Sequence, residues 1–171
     1  MNSPRRPWLR IENLVCEIKE KFDSIEDGEI SPSSYDTAWV ARVPAIDDSH
    51  KPQFPQTLKW ITDNMLFDGS WGEESIFLAS DRILNTLACV ISLTIWNTSK
   101  TYVYIYIYTY CLDFIKRHAE QMMEEIQANG TSKEFEMVFP PMLNEAKTLG
   151  LDVDATLFKE ISKRRDVNMK L

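Results

Sequence analysis

Residues 81–96 read DRILNTLACVISLTIW, and the spacing of their apolar side chains decides the fold class. Ile83, Leu84, Leu87, Ala88, Val90, Ile91 and Ile95 line much of a helical surface instead of one narrow stripe, the pattern of a helix buried on most sides. Ser80 and Asp81 make a plausible start, because an acidic first turn suits the helix macrodipole. The apolar stretch at 87–96 is about half of the roughly 20 residues needed to cross a bilayer, and Asp81, Arg82 and Asn85 precede it. A core helix fits this stretch; a membrane span does not.

Outward from that helix, the chain reads as further helices. Trp8, Ile11, Leu14, Val15, Ile18 and Phe22 recur at three and four, with charges on the opposite face. An acidic break at 23–29 follows, and Ser31, Ser33 and Ser34 offer caps for a second helix carrying Tyr35, Trp39 and Val43. Pro44, Pro52 and Pro55 with Asp47, Asp48 and Ser49 mark a connecting loop and a candidate boundary. Phe54, Leu58, Ile61 and Met65 repeat as a short helix that stops at 68–72, DGSWG, where glycines flank a large anchor. Downstream, 112–126 reads as a helix ended by Gly130. Phe135, Val138, Phe139, Met142, Ala146 and Leu149 form another stripe, which Pro140 and Pro141 must kink or open. Gly150 caps it, and a charged helix runs from about Asp154.

The 171 residues suffice for one domain or parts of two, and 44% apolar with 26% charged residues and only five glycines is ordinary for a helical globular protein. A net charge of −7 repels a phosphate backbone, so nucleic acid is a poor partner. Cys16, Cys89 and Cys111 are odd in number and widely spaced, and His50 and His118 lack a helical partner, so neither a disulfide nor a zinc site is expected. The first fifteen residues hold Arg5, Arg6 and Arg10 but no apolar run, so no secretory signal is expected.

Three segments, SPSSYDTAWVA at 31–41, DGSWG at 68–72 and DRILNTLACV at 81–90, together resemble the plant diterpene synthases, and FEMVFPPMLNEAKTLG at 135–150 extends the likeness. The resemblance implies an all-α fold, an incomplete α-α barrel of the terpenoid cyclase and protein prenyltransferase type. It assigns residues 1–45 to the start of a β domain and 51–171 to the first half of an inserted γ domain. It further implies a parent enzyme of the copalyl-type or bifunctional kind acting on geranylgeranyl diphosphate with Mg2+, located in the plastid. Residues 1–10 are too short for a complete transit peptide, and the cytoplasm is the alternative.

The family's class II chemistry protonates its substrate through DxDD, and its class I chemistry ionises the diphosphate with metal held by DDxxD. Neither motif occurs here: 152–155 reads DVDA and 47–51 reads DDSHK. Both imitations read as solvated loop or cap acids. By resemblance, Glu136 matches a γ-domain glutamate that helps position Mg2+ and diphosphate; a glutamate stabilised by a helix start is the other reading. Tyr35, Trp39 and Trp71 are expected to anchor packing, with Asp36 and Asp68 as caps or turn formers beside Gly69, Gly72, Asp81 and Arg82. The chain by itself is expected to be catalytically inactive. The alternatives are a non-catalytic helical interaction module that binds a partner, such as a full-length synthase, through exposed apolar faces on Leu58, Val90 and Phe139, or the product of a decayed gene; exposed apolar faces would also allow self-association.

One run stands apart. Residues 101–111 read TYVYIYIYTYC, an alternation with the period of a strand, set between helical segments. Tyr102 to Tyr110 can be written wholly with the codons TAT, GTA, ATA and ACA, so 102–110 reads as a translated TA repeat, a retained-intron insert.

Overall fold

The computed structural model describes residues 7–23, 32–96, 102–130 and 132–168. The chain divides into two compact units, 1–32 and 33–171. The first contains helix α1, Pro7–Asp23, whose apolar residues Ile11, Leu14, Val15 and Ile18 are exposed. The acidic break at 24–29 lies outside the described residues.

The second unit holds α2 (Ser34–Ala41), α3 (Pro55–Asp63), α4 (Ala79–Trp96), α5 (Tyr102–Asn129), α6 (Lys133–Thr148), a 3-10 turn (Ala155–Phe158) and α7 (Lys159–Asn168). No strand occurs among the described residues, in agreement with the all-α expectation. Helix α4 is the centre: twelve of its eighteen residues are buried, and α2, α3, α5 and α6 all pack on it.

The contact between α2 and α4 shows how sequence sets packing. Ser34, Ala38 and Ala41, spaced four and three apart, are the buried residues of α2, and their small size lets the two helices approach closely. Along α4, Ser92 Oγ donates to the Ala38 carbonyl at 2.7 Å, Trp96 Nε1 donates to Ala41 at 2.6 Å, and Cys89 Sγ reaches Ser34 at 3.6 Å. Partners that advance together in number mean that the two helices run parallel. The last four carbonyls of a helix lack partners within it; here Ala38 and Ala41 find α4, while Trp39 and Val40 accept from the Arg42 and Val43 amides. At the other end Ser33 Oγ accepts from Asp36 N, fulfilling the expected cap.

The proline loop folds back on itself through a bridge between Pro44 and Pro52. Prolines have no N–H, so their neighbours bond: Ala45 N to Lys51 O and Gln53 N to Val43 O, each 2.8 Å.

Helix α5 overturns the strand reading of 102–110. From Ile107 onward its buried residues are Ile107, Cys111, Phe114, Ile115, Ala119, Met122 and Ile126, a helical stripe that begins inside the tyrosine run. A strand there would leave N–H and C=O groups in search of a sheet edge, whereas a helix pairs them locally. Tyr106 stacks on Tyr110 one turn later at 5.8 Å between ring centroids.

In α6, Pro140 and Pro141 lie inside the helix, so the Glu136 and Met137 carbonyls have no i+4 amide to accept from. Burial of Phe139 against Phe158, with ring centroids 5.1 Å apart and nearly perpendicular, and stacking of Phe135 on Phe139 at 5.0 Å hold this segment in place. The helix ends as Gly150 was expected to end it: Gly150 adopts φ 80°, its amide bonds Lys147 O, and the Leu151 amide bonds Ala146 O. This is the Schellman arrangement, with Leu151 and Ala146 both buried.

The expected apolar faces are covered. Val90 is 2% and Phe139 0% exposed, and Leu58 is partly buried against the core: α4, which carries Val90, is packed by α2, α5 and α6, Phe139 meets Phe158 of the 3-10 turn, and α3, which carries Leu58, packs on α2 and α4. The surface keeps other large apolar groups instead, among them Trp39, Val40, Val43, Ile46 and Phe67.

Gly69 sits where backbone and ring meet. Its φ is +87°, and a Cβ there would stand 2.6 Å from Tyr110 Cδ1. Gly69→Ala is expected to cost about 1–3 kcal/mol in backbone strain alone, with the displaced Tyr110 ring adding to it; an unchanged urea midpoint would contradict this.

Candidate functional site

The three motif segments that carry the family likeness meet on α4. The 68–72 turn is locked from both sides. Asp68 Oδ1 accepts from Ser70 N at 3.0 Å and Ser70 Oγ at 2.6 Å. Trp71 is fully buried; its indole Nε1 donates to Ile61 O at 2.7 Å, and its backbone amide donates to Thr86 Oγ1 at 3.2 Å. Arg82, one turn into α4 and 4% exposed, gathers the rest. It donates to Ser70 Oγ at 3.1 Å, Glu73 O at 2.6 Å and Ile76 O at 3.3 Å, and lies 3.7 Å from Asp68 Oδ2. Gly72, at φ 147°, leaves room for the guanidinium stem, which a Cβ would meet at 3.0 Å. The expected anchor, turn former and paired glycines are therefore brought together. Arg82 is the residue that unites them.

Tyr35, Asp36 and Trp39 sit on α2. The two rings meet edge to face at 6.1 Å, but Trp39 is 42% exposed and does not enter the core as expected. Ala38 and Ala41 occupy the inward face, so Trp39 turns outward and its ring lies 4.0 Å under the Arg42 guanidinium. Arg42 then reaches Ser92 Oγ at 3.1 Å and Glu145 Oε2 at 2.9 Å, tying α2, α4 and α6 together. Burial pulls its pKa down, and Glu145 opposes that pull. Asp36 is exposed in the first turn of α2, and Asp81 is exposed in the first turn of α4.

Glu136 lies in the first turn of α6, 8% exposed, with Oε1 3.8 Å from Arg164 Nη1 of α7. It stands in neither motif cluster. The two imitations of the family's acid motifs are local turns: Asp48 accepts from the His50 amide and pairs with Lys51, and Asp154 caps the 3-10 turn through Thr156, which lowers its pKa. Burial pushes the Cys111 thiol up to about 12 and Cys89 well above its usual range, so both stay protonated.

Mg2+ takes near-octahedral oxygen ligands, with one or two protein carboxylates and several waters. Among the described residues no three His, Cys, Asp or Glu side chains converge, and Glu136 faces an arginine. These residues do not fit a complete magnesium site. No described helix is long and apolar enough to cross a membrane.

Several contributors had no signature in sequence. Glu125 of α5 accepts from the Ala79 and Ser80 amides at 3.1 and 3.2 Å, capping α4 from 46 and 45 positions away. Tyr110 donates to Phe67 O, and the Tyr108 hydroxyl meets the Asp152 amide at 3.0 Å. Among the described residues, one open cavity of about 400 Å³ lies beside Tyr35, Ser80, Asp81 and Phe135, and another of about 790 Å³ lies between α5 and residues 151–158.

No family model matches the chain. It is 51% identical over 164 residues to a bifunctional cis-abienol synthase of Abies balsamea, covering 95% of this chain and 18% of that protein. Against a bifunctional levopimaradiene synthase of Ginkgo biloba it is 56% identical over 144 residues, 84% of this chain and 16% of the relative. Both relatives are named chloroplastic. Among solved structures, abietadiene synthase from Abies grandis matches with TM-score 0.75 and 47% identity, over 96% of this chain and 21% of that one. The ent-copalyl diphosphate synthase of Arabidopsis thaliana matches with TM-score 0.72 and 34% identity, over 93% and 22%. High identity along nearly the whole chain, joined to the same helical fold, places it: the chain is a homologue of the plant diterpene synthases and spans about a fifth of the length of the relatives it matches.

Proposed function

We propose that this chain is a non-catalytic part of a diterpene synthase whose whole reaction takes geranylgeranyl diphosphate with magnesium in the plastid. The observation that carries the reading is the match itself: about half of the residues are identical along 95% of this chain, against 18% of the relative. The substrate class is supported by the Arabidopsis relative, whose structure holds a geranylgeranyl thiolodiphosphate analogue. The plastid is supported by the names of the relatives. Residues 1–45 would open the β domain, and 51–171 would form the first half of γ, with 102–110 a retained-intron insert.

The residues support inactivity of this chain by itself. Neither DxDD nor DDxxD occurs in the sequence, so no acid stands ready to protonate an alkene and no carboxylate cluster to hold metal against a diphosphate. Glu136 would bring one oxygen ligand to a site whose other members lie elsewhere in the parent, and Arg164 would have to release it. Purified chain incubated with geranylgeranyl diphosphate and Mg2+ is expected to return the substrate unchanged by gas chromatography after dephosphorylation. Any cyclised product that tracks with the chain would overturn the reading.

A further inference from the structure

Two Asx–Gly pairs lie among the described residues, Asp68–Gly69 and Asn129–Gly130. In such pairs the glycine nitrogen, unshielded by any Cβ, is free to attack the preceding side-chain carbonyl if the backbone is able to turn. The fold treats the two in opposite ways. At the first, the Asp68 carboxylate holds Ser70 and faces Arg82, the Gly69 amide bonds Leu66 O at 3.0 Å, and the Tyr110 ring leaves no space beside the backbone. At the second, Asn129 is the final residue of α5, residues 127–130 are all exposed, and nothing lies within 4 Å of where a Gly130 Cβ would stand. One helix-end hydrogen bond, Gly130 N to Ile126 O at 3.0 Å, holds the nitrogen, and helix ends open more readily than interiors.

We propose that Asn129 is the site at which this chain spontaneously loses a side-chain amide, while the Asp68–Gly69 pair is protected by the motif turn. The Gly130 nitrogen gives up its proton and bonds to Asn129 Cγ. The Cγ–Nδ2 bond breaks, and that nitrogen departs as ammonia. Water then adds to one of the two carbonyls of the succinimide ring and opens it to aspartate or isoaspartate. Only water is consumed, and nothing is oxidised or reduced.

The modification places a carboxylate at the C-terminal end of α5, where the macrodipole is already negative. The isoaspartate form also puts a methylene into the backbone at the cap, where Gly130 adopts φ 74°. The last turn of α5 carries the buried Ile126 and, beside it, Glu125, which caps α4. Loosening there is therefore transmitted to the central helix.

The test is to age the full chain at mildly alkaline pH, digest it with trypsin and follow peptide 118–133 by mass spectrometry. Asn144, inside α6 and followed by glutamate, serves as the internal reference. Asn129 is expected to convert several-fold faster than Asn144 with isoaspartate accumulating, Asn129→Gln to abolish the signal from that peptide, and Asp68 to isomerise only in urea. Equal rates at Asn129 and Asn144 in the folded chain would overturn the proposal. So would Asp68 isomerising as fast in the folded chain as in urea.

Discussion

Trp71→Ala is expected to destabilise the 33–171 unit by about 3–5 kcal/mol, the usual range for emptying a buried aromatic site. The ring is fully enclosed, and its loss also strips the Ile61 carbonyl of the indole N–H that satisfies it. A domain of this kind has about 5–15 kcal/mol in total, so the variant should melt early or not fold cooperatively. Trp39→Ala is the natural control. That ring is 42% exposed, and its truncation should move the urea midpoint far less. Matching midpoints for the two variants would mean that the motif turn does not anchor the unit.

Arg82→Leu should be comparably damaging, about 3–5 kcal/mol, because removing one partner of a buried pair strands the other. Here the stranded groups are Asp68, Ser70 and two carbonyls, those of Glu73 and Ile76. Arg82→Lys should not rescue it, since an ammonium lacks the planar fork that reaches these partners from one position. Trp71 and Arg82 share the same turn, so the double variant should fall short of the sum of the two losses. Full rescue by lysine in a denaturant titration would show that charge alone, and not the fork, sustains the turn.

Helix positions were largely legible because apolar spacing is set by local geometry. Residues 81–96 announced a buried helix, Ser33 a cap and Gly150 a terminus, and the structure places all three so. The tyrosine run misled because its two alternating classes, tyrosine and aliphatic, are both bulky and largely apolar. A period of two then also satisfies i, i+4, and only the buried partners downstream, Cys111, Phe114 and Ile115, decide between the readings. Trp39 misled for a related reason. Its spacing from Tyr35 was visible, but which face of α2 turns inward depended on donors in α4 some fifty residues away. Arg42 and Glu145, 103 positions apart, have no local pattern at all. Long-range polar pairs leave no period in a sequence, which is why the clamps were missed while the helices were found.

The carboxylate of Glu125 across the start of α4 bears on the order in which the chain folds as it is made. Chains emerge from the ribosome N-terminus first, and domains tend to fold in that direction. When residues 79–96 appear, the segments of α2 and α3 have already been made, but the Ala79 and Ser80 amides must wait for a group that is made some 45 residues later. Until then the central helix has a packed flank and an open end. A nascent chain halted before Glu125 would hold α4 in that unfinished state, exposed to proteases at its first turn, however complete the helices behind it.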